Sequence, residues 1–288
     1  MITVALLQKE ILPVLAPEDF FILLSHATGK EKTFLLAHPE YILDEKTHAL
    51  AESFFARRRK HEPVAYIIGE KEFYGLSFQV NKETLIPRPE TEILVENALA
   101  LITSLKSTDI DIVDVGTGSG AIILSLAHAL SEKKLPSHIK LYGSDISERA
   151  LHVAKENQKR QQTKLPVQFL QGNLLEPYTL LKEKSKTLLV LANLPYLSHA
   201  LYSSTIPDVQ NYEPKSALIS ENAGLAHSFE LLSQLTALKD TEKIFCFFEI
   251  SPEQTSSFVQ HITETIPSLS YEVQTDLSGR DRFLFVSF

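Results

Sequence analysis

The uninterrupted apolar run Thr187–Ala192 constrains the fold more than any other stretch of the chain. A strand with one solvated face alternates polar and apolar residues, so this run predicts a strand buried on both faces, as in a parallel sheet. From about residue 110 onward, predicted strands and helices alternate, which favours a parallel sheet covered by helices on both sides. Strands are predicted at 110–115, 139–144, 167–170, 187–192, 243–250, 270–275 and 283–288, and helices at 121–130, 147–162, 224–238 and 252–265.

The last two predicted strands are separated only by Asp276–Arg282. A parallel pair needs a crossover of about a dozen residues or more, so these two strands should pair antiparallel. The sequence therefore predicts an α/β fold with a mostly parallel seven-stranded sheet and one antiparallel strand. This is the arrangement of a class I, Rossmann-like methyltransferase domain.

The first 64 residues are predicted to be helical. Apolar residues recur at helical spacing over Ile2–Leu12, and a second helix should begin at Pro17 and end at Gly29. A third helix is predicted from about Pro39 to Lys60, because Pro63 forbids its continuation.

A hairpin is predicted after the helical region. Lys71–Tyr74 and Ser77–Val80 are short extended runs on either side of Gly75. The predicted organisation is a helical N-terminal domain over residues 1–64, a β-hairpin linker over 65–84 and an α/β domain over 85–288.

The composition limits the classes of function. With a net charge of −8 at pH 7, the chain lacks the basic footprint that non-specific nucleic-acid binding needs. The single cysteine, Cys246, lies in an apolar run and is predicted to be buried and unpaired. The 10 histidines show no metal-ligand spacing, and no run approaches the ~20 apolar residues of a membrane span. We therefore expect a cytoplasmic monomer without a metal, membrane contact or direct nucleic-acid binding.

The loop after the strand at 110–115 is rich in glycine. Gly116, Gly118 and Gly120 allow a sharp turn and a close approach of the backbone to a ligand. The next strand ends at Asp145, whose carboxylate can accept hydrogen bonds from both hydroxyls of a ribose. These two strand ends indicate a nucleoside-type cofactor, but they do not distinguish NAD from S-adenosylmethionine. The third strand ends in Gln171–Leu174, which could recognise an adenine edge.

The tetrapeptide Asn193–Tyr196 follows the central strand, where open α/β sheets place their ligands. A dehydrogenase has no need of it, whereas an enzyme that methylates a planar nitrogen does. Such a nitrogen is a poor nucleophile because its lone pair is delocalised. The Asn193 side-chain oxygen and the Leu194 carbonyl can accept its two hydrogens, and Tyr196 can stack on the planar group. Catalysis would then rest on orientation and electrostatics without a strong base.

The chain resembles the bacterial release factor glutamine methyltransferases, the PrmC/HemK family. The resemblance covers nearly the whole sequence, and its most specific part is Leu85–Glu92. Further matching segments are Glu62–Pro63, Tyr66–Ile67, Gly69, Phe73–Leu76, Asp114–Gly120, Asp145–Ser147, Asn193–Tyr196, Tyr212–Pro214, Glu249–Ile250 and Asp276–Arg282.

The resemblance implies methyl transfer from S-adenosylmethionine to the glutamine side-chain amide in the Gly-Gly-Gln loop of class I peptide-chain release factors. The cofactor-binding residues it implies are Gly116, Thr117, Gly118, Ser119, Gly120, Asp145, Asn173, Leu174 and Asn193. The residues expected to catalyse transfer and bind the glutamine are Asn193, Leu194, Pro195 and Tyr196, with Arg88 as a further substrate-binding residue. The helical N-terminal domain is expected to help dock the release factor.

Two positions depart from the family pattern. The family usually has proline at the position of Leu194 and aspartate at that of Asn173. Leucine keeps the backbone carbonyl and loosens the loop by roughly 0.4–1 kcal/mol of unfolded-state entropy. Because Asn-Leu-Pro-Tyr also suits enzymes that methylate adenine, an RNA or DNA adenine methyltransferase is the alternative. A non-enzymatic interaction protein on a methyltransferase scaffold is a third hypothesis.

Overall fold

The computed structural model describes residues 2–105, 109–132, 138–239, 241–276 and 278–288. These residues form two compact units. The first unit comprises Met1–Glu70 and Ile206–Tyr212, and the second comprises Lys71–Thr205 and Glu213–Phe288. Among the described residues, no helix combines the length and the apolar character that crossing a membrane requires.

The elements, numbered in chain order, have the following bounds. The helices are α1 Val4–Ile11, α2 Pro17–Thr28, α3 Lys32–Ala37, α4 Glu45–Arg58, α5 Val64–Ile68, α6 Glu92–Ser104, α7 Ala121–Glu132, α8 Glu148–Gln161, α9 Glu176–Thr179, α10 His199–Ser203, α11 Pro207–Tyr212, α12 Glu221–Gly224, α13 Ala226–Thr236 and α14 Thr255–Thr265. The strands are β1 Ile2–Thr3, β2 Ile42–Leu43, β3 Glu70–Phe73, β4 Leu76–Gln79, β5 Asp109–Val115, β6 His138–Asp145, β7 Val167–Gln171, β8 Thr187–Ala192, β9 Lys243–Glu249, β10 Ser270–Thr275 and β11 Asp281–Ser287. Short 3-10 helices span Pro89–Thr91, Lys215–Ala217 and Pro252–Gln254.

The second unit is built on a seven-stranded sheet of order β10-β11-β9-β8-β5-β6-β7. The β5–β6, β5–β8, β6–β7 and β8–β9 pairs are parallel. Strand β11 runs antiparallel to both β9 and β10. The predicted fold class is therefore confirmed, including the single antiparallel strand. Leu277, in the predicted link between the last two strands, lies outside the described residues.

Strand β8 divides the core of this unit. Every residue of β8 is buried, as its apolar run predicts. Leu188 and Val190 pack into a cluster with α13 and α14, whereas Leu189 and Leu191 pack into a cluster with α6 and α7. Because successive side chains of a strand point to opposite faces, both faces of the sheet are covered by helices. The polar residues that follow β8 therefore emerge at the end of a fully buried strand.

The first unit, called the helical unit below, differs from the prediction at the third predicted helix, which is α4. That helix begins at Glu45 rather than at Pro39, because Asp44 caps it by accepting a 2.8 Å hydrogen bond from the Thr47 N–H. Ile42 and Leu43 before the cap pair antiparallel with β1. The pattern also failed to predict α3, a helix of only 6 residues. Capping chemistry, which the apolar spacing does not carry, sets these boundaries.

The predicted extended region begins later than expected. Val64–Ile68 is helical and ends at Gly69, whose φ of 81° is left-handed. Strands β3 and β4 then pair around Gly75, as the hairpin prediction requires. The linear domain boundaries at residues 64 and 84 stay a prediction, since the contact units divide the chain differently.

Candidate active site

The glycine loop, residues 116–120, connects β5 to α7. Gly116, Gly118 and Gly120 all have positive φ, at 73°, 54° and 79°. The N–H groups of Gly116 and Thr117 donate to the Ser144 carbonyl at 2.8 and 2.9 Å. These bonds tie the loop to the end of the neighbouring strand β6. The conformation is one that glycine adopts without steric cost, so the sequence pattern and the backbone agree.

Asp145, the last residue of β6, is held against the same loop. Its Oδ2 accepts from the Gly118 N–H at 2.9 Å, and its Oδ1 accepts from the Ser147 N–H at 2.8 Å. Burial raises the pKa of this carboxyl, while the N–H groups of Ser147 and Gly118 oppose the rise. Ser147 caps α8 by accepting from the Ala150 N–H at 3.2 Å. Each Asp145 oxygen keeps a lone pair for a ligand hydroxyl.

The conformation of the glycine loop is fixed by contacts of three of its own residues. The Thr117 hydroxyl donates to Asp114 Oδ2 at 2.6 Å, and Asn157 Nδ2 donates to the Ser119 carbonyl at 2.9 Å. A Cβ at Gly120 would lie 3.2 Å from the Ala154 Cβ, so only glycine fits there without movement of its neighbours. Thr117, Ser119 and Gly120 thus shape the loop rather than line its open side.

The acceptor loop, residues 193–196, follows β8. Asn193 Nδ2 donates to Thr91 Oγ1 at 3.1 Å. Among the residues that the structure describes, Asn193 Oδ1 and the Leu194 carbonyl have no hydrogen-bond partner. Two acceptors are therefore left available in adjacent residues, as the sequence pattern predicts.

The side chain of Leu194 contributes to the site as well as its carbonyl group. Its side chain is only 4% exposed and belongs to the core cluster that contains β8. A Cβ at Gly116 would lie 3.3 Å from Leu194 Cδ2, so this side chain packs directly against the glycine loop. The burial of an apolar side chain offsets the flexibility that leucine adds in place of proline.

Tyr196 is fixed through its backbone. Gln254 Nε2 donates to the Tyr196 carbonyl at 2.8 Å and to the Ala223 carbonyl at 3.1 Å. Gly224, with φ of 90°, lies so close that a Cβ there would overlap the Tyr196 carbonyl oxygen. Burial is the main cause that raises the pKa of the Tyr196 phenol to about 12. The phenol is therefore neutral at physiological pH.

Arg88 is paired with a buried carboxylate. Its Nη2 donates to Glu213 Oε1 at 2.5 Å, and Glu213 Oε2 accepts from the Ile86 N–H at 3.2 Å. Glu213 thereby holds both ends of the Ile86–Arg88 segment. The guanidinium remains about one-third exposed, and its other N–H groups stay available for a substrate.

A cleft lies between the two loops. Predicted site residues that line it are Gly116, Gly118, Asp145, Asn173, Leu174, Asn193, Leu194 and Pro195. Further lining residues, which the sequence reasoning did not single out, are Glu83, Thr84, Leu85, Ile146, Ser147, Ala150, Pro214, Ser216, Ala217 and His227. Four of these residues lie in segments of the family resemblance, which was the available signal for them: Leu85, Ile146, Ser147 and Pro214. Nothing in the sequence pattern marks His227.

Asn173 and Leu174 form the wall of the cleft after β7. Asn173 Nδ2 donates to Glu230 Oε1 at 2.5 Å, which leaves its Oδ1 as the free end of the amide. Leu174 has a left-handed φ of 51°, and its carbonyl accepts from the Ser144 hydroxyl at 2.7 Å. The hydroxyl of Ser144, in β6, therefore holds the segment after β7 in place.

The cleft fits S-adenosylmethionine. Glycine lines one wall, where the backbone can approach a ligand closely, and Asp145 offers carboxylate oxygens for ribose hydroxyls. Beside it, the apolar side chain of Ile146 is 69% exposed and provides a surface for a planar base.

Comparison with known proteins agrees with this geometry. Residues 106–264 match the family described as methyltransferase domain, and residues 15–69 match the PrmC N-terminal domain. The crystal structure of the N-terminal domain of human METTL16 superposes with a TM-score of 0.52 at 16% identity, covering 95% of this chain and 94% of that one. The hMettl16 catalytic domain in complex with a MAT2A 3'UTR hairpin gives a TM-score of 0.53 at 17% identity, covering 75% of each chain. At this identity the similarity shows the fold alone, which is that of a class I methyltransferase domain.

Curated relatives are more similar in sequence. The release factor glutamine methyltransferase of Enterococcus faecalis is 36% identical over 255 residues, with 88% of this chain and 86% of that protein covered. The enzyme of the same name from Nitratidesulfovibrio vulgaris is 36% identical, with 92% and 85% covered. The one from Haemophilus influenzae is 40% identical, with 75% and 74% covered. The chain therefore belongs to the release factor glutamine methyltransferase family, as the sequence motifs predict.

Proposed function

We propose that this protein transfers a methyl group from S-adenosylmethionine to the side-chain amide nitrogen of the Gly-Gly-Gln glutamine of class I peptide-chain release factors. The observation that carries the proposal is the pair of unpartnered acceptors, Asn193 Oδ1 and the Leu194 carbonyl, in the wall of the cleft. A primary amide presents two hydrogens, and these two acceptors match them. The names of the curated relatives support the same substrate rather than a nucleic-acid adenine.

The glycine loop and Asp145 would hold the cofactor. Asp145 accepts from the ribose hydroxyls, while Asn173 Oδ1 accepts from the adenine amine beside Leu174. Bound S-adenosylmethionine supplies an electrophilic methyl group on a sulfonium. The exposed Ile146 side chain packs against the base. These contacts fix the cofactor with few charged groups.

The acceptor loop would orient the nucleophile. Asn193 Oδ1 and the Leu194 carbonyl accept hydrogen bonds from the two amide N–H groups, and the ring of Tyr196 stacks on the planar amide. Methyl transfer to the amide nitrogen would break the bond between the methyl carbon and the cofactor sulfur, and S-adenosylhomocysteine would leave. The positive charge would pass from the sulfur to the amide nitrogen, where the two acceptors would stabilise it. An N-protonated amide is very acidic, so the proton leaves to water and no strong base is needed. Pro195 stiffens the loop, and Arg88 contacts the substrate peptide.

The helical unit would dock the release factor. Apolar side chains exposed on it include Val14, Leu36, Ile42 and Leu50, with exposed fractions from 41% to 60%. Covering an exposed apolar side chain with a partner protein removes it from water, which is favourable. A glutamate substitution at Leu36 should raise KM for the release factor and leave the Kd of the cofactor unchanged. An unchanged KM would exclude Leu36 from the docking contact.

The decisive experiment is methyl transfer from labelled S-adenosylmethionine to a purified release factor. The matched substrate control carries alanine in place of the Gly-Gly-Gln glutamine. Label on the first and none on the second supports the substrate, the cofactor and the target atom together. The enzyme control is Asn193→Ala, which should abolish transfer while the Kd of the cofactor changes little. Label on neither protein, with cofactor binding intact, would contradict the proposal and favour nucleic-acid substrates.

A further inference from the structure

Asn193 is the outer member of a chain of three hydrogen-bonded side chains. Its Nδ2 donates to Thr91 Oγ1 at 3.1 Å, and the Thr91 hydroxyl donates to Glu249 Oε2 at 2.7 Å. Thr91 and Glu249 are each only 3% exposed. Thr91 ends the 3-10 helix before α6, and Glu249 ends β9. The sequence pattern assigned no role to either residue's side chain.

The direction of these bonds sets the orientation of the Asn193 amide. A threonine hydroxyl has one hydrogen, and an ionised carboxylate can only accept. When Glu249 is ionised, the Thr91 hydrogen therefore goes to Glu249, and Thr91 Oγ1 is left to accept from an N–H. Only the NH₂ end of the Asn193 amide can supply that N–H, so the Oδ1 end is turned away from Thr91.

This orientation matters because the two ends of an amide group have nearly the same shape. If the Asn193 side chain rotated by half a turn, its NH₂ group would meet the hydrogens of the substrate amide. Two donors facing each other repel, and the nitrogen would lose an acceptor at the moment it gains positive charge. Packing alone distinguishes the two orientations poorly, whereas a polar partner distinguishes them directly.

We propose that Thr91 and Glu249 are positioning residues that hold the Asn193 amide with its oxygen toward the methyl-accepting nitrogen. This inference rests on the proposed role of Asn193 in glutamine methylation and adds two residues that do not touch the substrate. Glu249 fixes the Thr91 hydroxyl, and Thr91 fixes the amide.

The charges around Glu249 bear on this arrangement. Burial raises the pKa of Glu249 to about 7, and the negative charge of Glu90 acts in the same direction. The Thr91 hydroxyl and the positive charges of Arg282 and Arg88 lower it, and the phenol of Tyr196 also faces this carboxyl. A protonated Glu249 could donate to Thr91 Oγ1 and release the threonine hydrogen toward Asn193. The chain of hydrogen bonds from Asn193 through Thr91 to Glu249 therefore needs the ionised carboxylate of Glu249.

The test compares three threonine variants in the full-length enzyme. Thr91→Val keeps the shape and removes the hydroxyl, while Thr91→Ser keeps the hydroxyl. Thr103→Val is the matched control. The Thr103 hydroxyl donates at 2.7 Å to the Leu99 carbonyl within α6 and takes no part in the hydrogen bonds that link Asn193 to Glu249. For each protein, kcat and KM for the release factor and the Kd of S-adenosylmethionine are measured. The side-chain amide signals of Asn193 are recorded by ¹⁵N NMR and assigned by their absence in Asn193→Ala.

The expected result is a kcat about 10- to 100-fold lower in Thr91→Val, because a misplaced acceptor acts on the transition state. The KM for the release factor and the Kd of the cofactor should stay within about threefold of the parent, because the lost orientation acts on the transition state and not on binding. Thr91→Ser should recover most of kcat, and Thr103→Val should match the parent. The Asn193 amide signals should shift in Thr91→Val only.

Two results would overturn the inference. One is a Thr91→Val enzyme with an unchanged kcat on a release factor that the parent methylates. The other is an Asn193 amide spectrum that is the same in the parent and in Thr91→Val. Because the spectrum needs no substrate, it decides the inference even if the parent enzyme transfers no label. Absence of label in the parent would count against the proposed function alone.

Discussion

The glycine loop and the acceptor loop are anchored by the same chemistry over very different distances along the chain. In the glycine loop, the Thr117 hydroxyl donates to buried Asp114, three residues earlier. At the acceptor loop, the Thr91 hydroxyl donates to buried Glu249, 158 residues later, and accepts from Asn193, 102 residues away. Burial raises the pKa of each carboxyl to about 7. The hydroxyl and the carboxylate that pair at the glycine loop are three residues apart in the sequence. Those that pair at the acceptor loop belong to two segments that are distant from each other and from the loop.

The difference extends to the rest of each loop. The glycine loop is otherwise held by backbone hydrogen bonds to Ser144, by the side chains of Asp145 and Asn157, and by glycine conformations. The acceptor loop is held by the side chain of Gln254 and by the close approach of Gly224. The side chains that hydrogen-bond to the glycine loop come from at most 38 residues away along the chain. A loop that must aim two acceptors at one nitrogen depends on the tertiary structure around it.

The largest effect is expected from Gly224→Ala, which breaks the support of the acceptor loop. The new Cβ would overlap the Tyr196 carbonyl oxygen, at a residue whose φ of 90° disfavours alanine. We expect a loss of about 2–4 kcal/mol in the free energy of unfolding. We expect kcat to fall about 100-fold and the cofactor Kd to change by less than about threefold. Denaturant titration, steady-state kinetics and calorimetry measure the three quantities.

The control for this substitution is Gly75→Ala, which has a similar φ of 72° but no atom within 4 Å of the new Cβ. It should lose only about 1 kcal/mol of stability and keep kcat. If both variants lost kcat equally, the steric contact with Tyr196 would not be what supports the acceptor loop.

An intermediate effect is expected from Asp145→Ala, which weakens the glycine-loop side. The change removes the proposed ribose acceptors and also the partners of the Gly118 and Ser147 N–H groups. The Kd of S-adenosylmethionine should rise about 10- to 100-fold, while kcat at saturating cofactor stays within about threefold. Isothermal titration calorimetry measures the Kd. A normal Kd would count against the ribose contact, and Asp44→Ala, which loses a cap in the helical unit, controls for a general loss of stability.

The smallest effect is expected from the buried carboxyl under the glycine loop. The folded-state pKa of Asp114 is about 7, above its ordinary value of 3.8, so the folded protein binds the proton more tightly than the unfolded chain does. The contribution of this group to stability is therefore fully present below about pH 4 and is lost as the pH rises toward 7. Asp114→Asn removes the titration and keeps an acceptor for Thr117. Its stability relative to the parent should improve by about 1–3 kcal/mol between pH 5 and pH 8.

This pH effect is measured by denaturant titration of both proteins at the two pH values, so that any constant cost of the substitution cancels. Glu249→Gln gives the parallel test at the acceptor loop, where the pKa is also raised to about 7. A stability difference that is independent of pH in both variants would mean that neither carboxyl retains its proton on folding.

Much of the α/β unit could be predicted because its pattern is strong. The apolar run Thr187–Ala192 coincides with β8 in its full length. Fully buried strands need no alternation, and their ends are marked by the polar residues that follow. The helical unit was harder, since Asp44 and Gly69 set helix ends through caps and left-handed turns that an apolar pattern does not record.

The sequence by itself determined the fold class, the glycine loop and the acceptor tetrapeptide. These are local patterns, in which a residue's neighbours along the chain also supply its structure. Only the tertiary structure decided that Thr91, Glu249 and Gln254 hold the acceptor loop and that Leu194 packs on Gly116. A side-chain hydrogen bond between residues a hundred positions apart exists only once the strands are in register, and no periodicity in the sequence records it.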